Sequence, residues 1–280
     1  MANEGIVLPM EKTKGTRQDP KVLVLYGPPK VGKTTLLSLL PGNLIADLEE
    51  GTEYVDSISM RIIGWNAPAN ETKASIADRL SDKDKNGKKK IPTYYFTEVG
   101  KSIMLAGRPY KFLTVDTVTE LEDMIMPLAV EMYKNSPMGG NYDGNNVKEL
   151  ARGAGYFWLR QAFHTAIDKI KKLADTIILV GHVKDTFIDK KGKEVAAKEL
   201  DLTGKIKFTV SAGADAIGYL HRGPDSEILI NFKASDEIVC GSRCPHLKGQ
   251  EIKVADYDEE TNELINVNWD LIFPSLKNKI

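Results

Sequence analysis

Cysteine is nearly missing from this sequence: its only two, Cys240 and Cys244, lie four positions apart. That excludes a disulfide-built scaffold and fits a reducing compartment. With His246 they make three possible metal ligands but lack a matching second pair, so a zinc module is not expected. Long apolar runs are missing as well. None approaches the ~18 residues of a membrane helix, and the longest, such as 176–181, are strand-sized. The opening MANEGIVLPM has no charged leader followed by an apolar run, so it does not read as a signal peptide. The expectation is a cytoplasmic protein with no membrane partner. Charge of one sign is missing too. Lys plus Arg number 38 against 39 Asp plus Glu, a formal charge of -1. That excludes coating nucleic acid by overall charge and leaves room for a local basic patch.

What remains is ordinary globular composition, 42% apolar and 28% charged over 280 residues. It suits one large domain, or one domain with a small appendage, able to bury its own core. The expected division is an N-terminal arm over 1–20, a core over 21–245 and a C-terminal extension over 246–280 packed on that core. The arm is polar apart from Ile6-Val7-Leu8. Apolar runs rich in Val, Ile and Leu predict buried strands at 21–26, 43–48, 112–115 and 176–180. Helices are predicted over 34–40, stopped by Pro41-Gly42, over 120–133 and over 155–173. Residues 82–90, DKDKNGKKK, and 135–146, NSPMGGNYDGNN, read as solvated loops. Closer-spaced strands follow at 214–221, 227–233 and 263–267. Strands alternating with helices predict an α/β fold with a mostly parallel sheet, and the later strands an antiparallel extension.

The sharpest signal is Gly27-Pro28-Pro29-Lys30-Val31-Gly32-Lys33-Thr34, a complete G-x-x-x-x-G-K-[ST] between a predicted strand and a predicted helix. Gly27 and Gly32 permit the tight turn that converges backbone N–H groups on phosphate oxygens, and the helix start adds its positive end. Lys33 then reaches the β- and γ-phosphates, the Thr34 hydroxyl ligates Mg²⁺, and the nucleotide contacts run on to Thr35. The remaining chemistry should sit at the C-terminal ends of neighbouring strands. Asp116 ends one and suits the Mg²⁺ shell; Thr117 beside it shares the metal water or caps the next helix. Asp47 and Glu49 follow another, Glu49 being the preferred base for orienting water and Asp47 the structural acid. His182 ends the fourth and is placed to read the γ-phosphate.

At these residues the chain resembles the RecA-like P-loop ATPases, and more closely the short RecA-core proteins of bacteriophages linked to single-strand annealing and recombination. Four pieces carry the resemblance: GPPKVGKTT, and the strands ending in Asp47-Leu48-Glu49, Asp116-Thr117 and Gly181-His182-Val183-Lys184. It covers about residues 20–245. It implies an ATP- and Mg²⁺-dependent ATPase with Lys33, Glu49, Asp116 and His182 as catalytic residues, and a protein that self-associates. It implies too that the loop after His182 contacts DNA, with the loop at 135–147 a second contact. A basic residue from a neighbouring subunit completes such sites, and Arg243 is the candidate, with Arg222 and Lys233 as rivals. AAA+ proteins usually carry two adjacent acids where this chain has Asp116-Thr117, which counts against them.

Between 184 and 207 the chain has seven lysines, Lys184, Lys190, Lys191, Lys193, Lys198, Lys205 and Lys207, against five acids. This segment reads as a basic loop able to neutralise the phosphates of single-stranded DNA. Phe187 and Phe208 could stack on bases, though Phe208 reads rather as core. Two other functions stay open: a nucleotide-binding assembly module without useful turnover, and a helicase-loader or motor ATPase.

Overall fold

The computed structural model describes residues 10–190 and 193–279, the side chains of 187–196 and 278–279 excepted. The Ile6-Val7-Leu8 island and Lys191 therefore lie outside the described residues, as do the side chains of Phe187, Lys190 and Lys193.

The elements run β1 Val22–Gly27, α1 Lys33–Ser38, β2 Asn43–Asp47, β3 Ser59–Gly64, α2 Lys73–Leu80, β4 Thr93–Tyr95, α3 Phe96–Leu105 and β5 Phe112–Asp116. Then follow α4 Val118–Met124, α5 Met126–Lys134, α6 Gly155–Ile170, β6 Thr176–Lys190, β7 Lys193–Leu200, α7 Ile206–Gly213 and β8 Ala216–Arg222. The chain closes with β9 Glu227–Asn231, β10 Gly241–Ser242, β11 Glu251–Asp258 and β12 Glu263–Ile265. One sheet orders them β12-β11-β9-β8-β1-β6-β5-β2-β3-β4, with β10 added to β8 and β7 to β6. From β8 to β4 every pairing is parallel; β9, β11 and β12 continue antiparallel. This is the α/β arrangement expected, a mostly parallel sheet flanked by helices, with its antiparallel extension.

The central strand explains itself. All six residues of β1 are buried, because parallel sheets are covered on both faces. Alternation then splits its side chains. Val22, Val24 and Tyr26 join the core containing α3 to α7 residues, while Leu23 and Leu25 join the core beneath α1. That second core takes in the chain's end: Trp269 donates its indole N–H to the Leu36 carbonyl at 3.2 Å, and Phe273 meets Phe112 with ring centroids 4.7 Å apart.

Four expectations need correction. The helix over 120–133 is two helices, α4 and α5, meeting at Ile125, where Pro127 sits in the first turn of α5 and cannot continue the preceding hydrogen-bond ladder. The basic stretch after His182 is no loop: β6 runs on to Lys190 and pairs with β7 antiparallel, from Val183 opposite Leu200 to Lys190 opposite Lys193. Phe208 is not core; it is 64% exposed on α7. The strands and helices between 59 and 105, and β11, have no counterpart among the expected elements.

Candidate nucleotide site

Parallel pairing brings the C-terminal ends of β1, β5 and β2 level with the middle of β6 at one edge. Gly27 is level with His182, Asp116 with Val180, and Asp47 with Asp116. The phosphate loop leaves β1 here. Its last turn needs a left-handed residue, supplied by Gly32 at φ 98°, and α1 starts immediately after. Lys33 is only 8% exposed, and its ammonium donates to the Gly27 and Pro28 carbonyls at 3.0 and 2.9 Å. Burial pulls its pKa below the ordinary lysine value, against the opposing pull of Asp116 and Glu49.

The Thr34 hydroxyl donates to Asp116 Oδ2 at 2.6 Å. Asp116 is 4% exposed, and burial pushes its carboxyl up to about 6. The Thr34 bond lowers it, the charges of Glu49 and Asp47 add to the rise, and Lys33 offsets part of it. A hydroxyl and a buried carboxylate side by side form the hard oxygen pair a Mg²⁺ ion takes when phosphates and water supply its other ligands. Among the described residues no three His, Cys, Asp or Glu gather into a metal cluster, and Cys240 and Cys244 fall into different cores.

Asp47 and Glu49 have separate surroundings. Asp47 is wholly occupied in shaping its own loop: Oδ1 accepts from the Glu49 and Gly51 amides, Oδ2 from the Thr52 amide and hydroxyl. That loop rests on the phosphate loop; a Cβ on Gly51 would lie 3.4 Å from Thr34 Oγ1. Glu49 is exposed and joins residues at β5 and β6. Its Oε1 accepts from Thr117 Oγ1 at 2.6 Å and lies 2.8 Å from His182 Nε2. An ionised carboxylate only accepts, so Nε2 carries the hydrogen. Both contacts fall on Oε1, and Oε2 has no partner among the described residues. Glu120 stands close, its pKa raised by burial and by the Glu49 and Asp123 charges. Sequence reading passed over Glu120, and only the fold could have found it.

The other candidates scatter. Arg222 lies at the phosphate-loop end of β8, its guanidinium 4.3 Å from the Tyr257 ring centroid. Arg243 follows β10 at the opposite end of the sheet, where Ser242 pairs with Ala216; it donates to the Ala212 carbonyl at 2.8 Å. Lys233 is exposed just after β9. In the hairpin region Lys184 faces Asp201 at 3.6 Å, Lys207 pairs with Glu199 at 2.6 Å, and Lys198 reaches the Tyr219 hydroxyl at 3.2 Å. Lys205 is exposed at the start of α7.

Residues 19–244 match the family model AAA_24, described as an AAA domain. The chain belongs to that AAA domain family. The match spans the phosphate loop, both acid-bearing strand ends and the His182 strand. The single acid of Asp116-Thr117, which weighed against AAA+ proteins, does not keep the chain out of a family so described. Glu49, from the loop after β2, lies beside that pair through its bond to Thr117. Comparison with curated proteins gives no match. Among solved structures, the crystal structure of the RadB recombinase aligns over 89% of this chain and 92% of that one, at 15% identity and a TM-score of 0.37. Among the described residues of the AAA domain no helix is long and apolar enough to cross a membrane.

Proposed function

We propose that this AAA domain binds Mg²⁺-ATP over Gly27 to Thr35, hydrolyses it, and uses the cycle on single-stranded DNA in phage-type recombination or annealing. The observation that carries the reading is the convergence of Glu49, Thr117 and His182 beside the Thr34–Asp116 pair. Thr34 and Asp116 would hold Mg²⁺, whose charge neutralises the phosphates. Lys33 binds the β- and γ-phosphates once it leaves its two carbonyl partners. Glu49 is the general base: Thr117 and His182 fix its Oε1, and Oε2 takes the proton from water.

His182 also joins the site to the hairpin. It lies in β6 directly before the paired segment, and its carbonyl accepts from the Asp201 amide at the return of β7. A contact from His182 to the γ-phosphate would bias the hairpin, where lysines exceed acids by two over 184–207. A surplus this small favours several subunits along one strand. Arg243, remote from its own phosphate loop, is offered to a neighbouring copy. The test is the ATPase rate with and without single-stranded oligonucleotide, alongside light scattering with an ATP analogue. Turnover raised by the oligonucleotide supports the reading; no turnover in either condition sinks it.

A further inference from the structure

A strongly cationic hollow lies at the other end of the sheet. A cavity of about 510 Å³ is walled by the segment 16–21 before β1, the turn between α3 and β5, the turn between α6 and β6, and Ser275. Five of its lining residues are cationic, Arg17, Lys21, Arg108, Lys111 and Lys171, against two acids, Asp19 and Asp175. None of the five makes an ion pair inside the cavity. Arg17 donates to the Asp19 and Asp175 carbonyls, and Lys111 to the Ser275 hydroxyl. Lys171 reaches only Asp168, outside the cavity, at 4.0 Å. Lys21 and Arg108 have no side-chain partner among the described residues. Asp19 is occupied by the Ser275 amide and hydroxyl rather than by a cation.

Like charges gathered around one hollow repel each other, and Lys21 and Arg108 make no side-chain bond among the described residues that would offset this. Lys171 sits at the carbonyl end of α6, which favours a cation, and Arg17 and Lys111 are held by the hydrogen bonds just given. Arg108 is the least expected. It stands at φ 57°, a left-handed position that a glycine or asparagine fills at less cost, yet it carries a long guanidinium to the rim. The walls beneath are firm. The Thr176 amide donates to the Lys111 carbonyl at 3.2 Å, and the Thr176 hydroxyl to the Pro20 carbonyl at 3.0 Å.

We infer that this hollow is a second anion site, for a small polyphosphate group, separate from the phosphate loop. Its volume suits a ligand of that size, and planar guanidinium forks beside lysine point charges are the side-chain chemistry that holds phosphate without a glycine loop. The lining is more polar than apolar, which disfavours an apolar ligand.

The probe is inorganic tripolyphosphate, titrated calorimetrically into the full chain carrying Lys33→Ala, so that the phosphate loop does not report. Binding should persist in that protein and weaken about 10-fold or more with each of Arg108→Glu and Lys21→Glu added, the scale of one lost charge-assisted bond. Both residues are exposed, so both variants should keep the parent's thermal unfolding. Lys111→Ala should weaken binding in the same way. ATP binding in the Lys33 protein should be untouched by Arg108→Glu. No heat from tripolyphosphate in the Lys33→Ala protein would overturn the site, as would equal affinity in every variant. If a single-stranded oligonucleotide, and not tripolyphosphate, depends on Arg108 and Lys21, the small-anion site is likewise overturned, in favour of a strand-binding surface.

Discussion

The two ends of the parallel sheet carry opposite charge. The C-terminal ends gather Asp47, Glu49, Asp116 and Glu120 around one buried lysine; the N-terminal ends gather Arg17, Lys21, Arg108, Lys111 and Lys171 around a hollow. The acidic end is tightly bonded within itself: Thr34 to Asp116, Thr117 and His182 to Glu49, and four donors to Asp47. The basic end has no ion pair inside its cavity. An acidic end can bind a polyanion only through backbone amides, one lysine and a metal, which suits chemistry at the phosphate. A basic end binds by side-chain charge alone, which suits holding and not reacting.

Changes that strike the acidic end should therefore abolish chemistry. Lys33→Ala should cost about 10³-fold or more in ATP affinity, the upper scale for a preorganised donor to phosphate, while thermal unfolding stays near that of the parent. Unchanged affinity would detach the loop from nucleotide. Glu49→Gln should keep ATP binding and slow turnover about 10²-fold, read in a steady-state assay. A wild-type rate would move the base elsewhere.

The pH response follows next in size. Asp116 titrates near 6, above its ordinary 3.8, because it is buried. Below pH 6 its ionised fraction falls about tenfold per unit, so Mg²⁺-dependent nucleotide affinity should fall with it. Stability of the metal-free protein moves the other way. A carboxyl raised in the folded state favours folding when protonated, so its contribution is full below about pH 4 and is lost as pH rises to about 6. Asp116→Asn should remove both dependences, and a chain that keeps them titrates through another group. Smallest of all is Phe208→Ala. An aromatic this exposed contributes little packing, so unfolding should shift by less than about 0.5 kcal/mol. A larger loss would put Phe208 in contact with something the isolated chain does not show.

Much of the acidic end was legible because its motif is local. GPPKVGKT lies in one continuous stretch, and the strands it needs are runs of buried aliphatic residues that periodicity finds. What periodicity could not supply is adjacency. Glu49, Thr117 and His182 are far apart in sequence and meet only because β6 inserts between β1 and β5, with β2 beyond. The sheet edge was harder still. β3 and β4 are mostly half-buried, so they lack an unbroken apolar run. α2 is held by a buried arginine rather than by an apolar stripe: Arg79 donates to Glu71 at 2.6 Å and to Glu98 of α3 at 2.5 Å. A polar clasp of this kind looks, in sequence, like a solvated face. The hairpin after His182 was missed for a related reason, since its lysines and acids mask the alternation of a two-stranded ribbon.

The place of β1 has a consequence for synthesis. Both of its neighbours come late: Val22 pairs with Ile177 on one side, and Leu23 with Ala216 on the other. At roughly 5–20 residues per second, the strand that feeds the phosphate loop waits roughly 8–30 s for its first partner to be made, and longer for the second. During that interval Leu23, Leu25 and Tyr26 have no sheet to enter. The nucleotide pocket is thus among the last parts of the chain that can form, and a ribosome halted before β8 leaves an apolar strand with one edge bare.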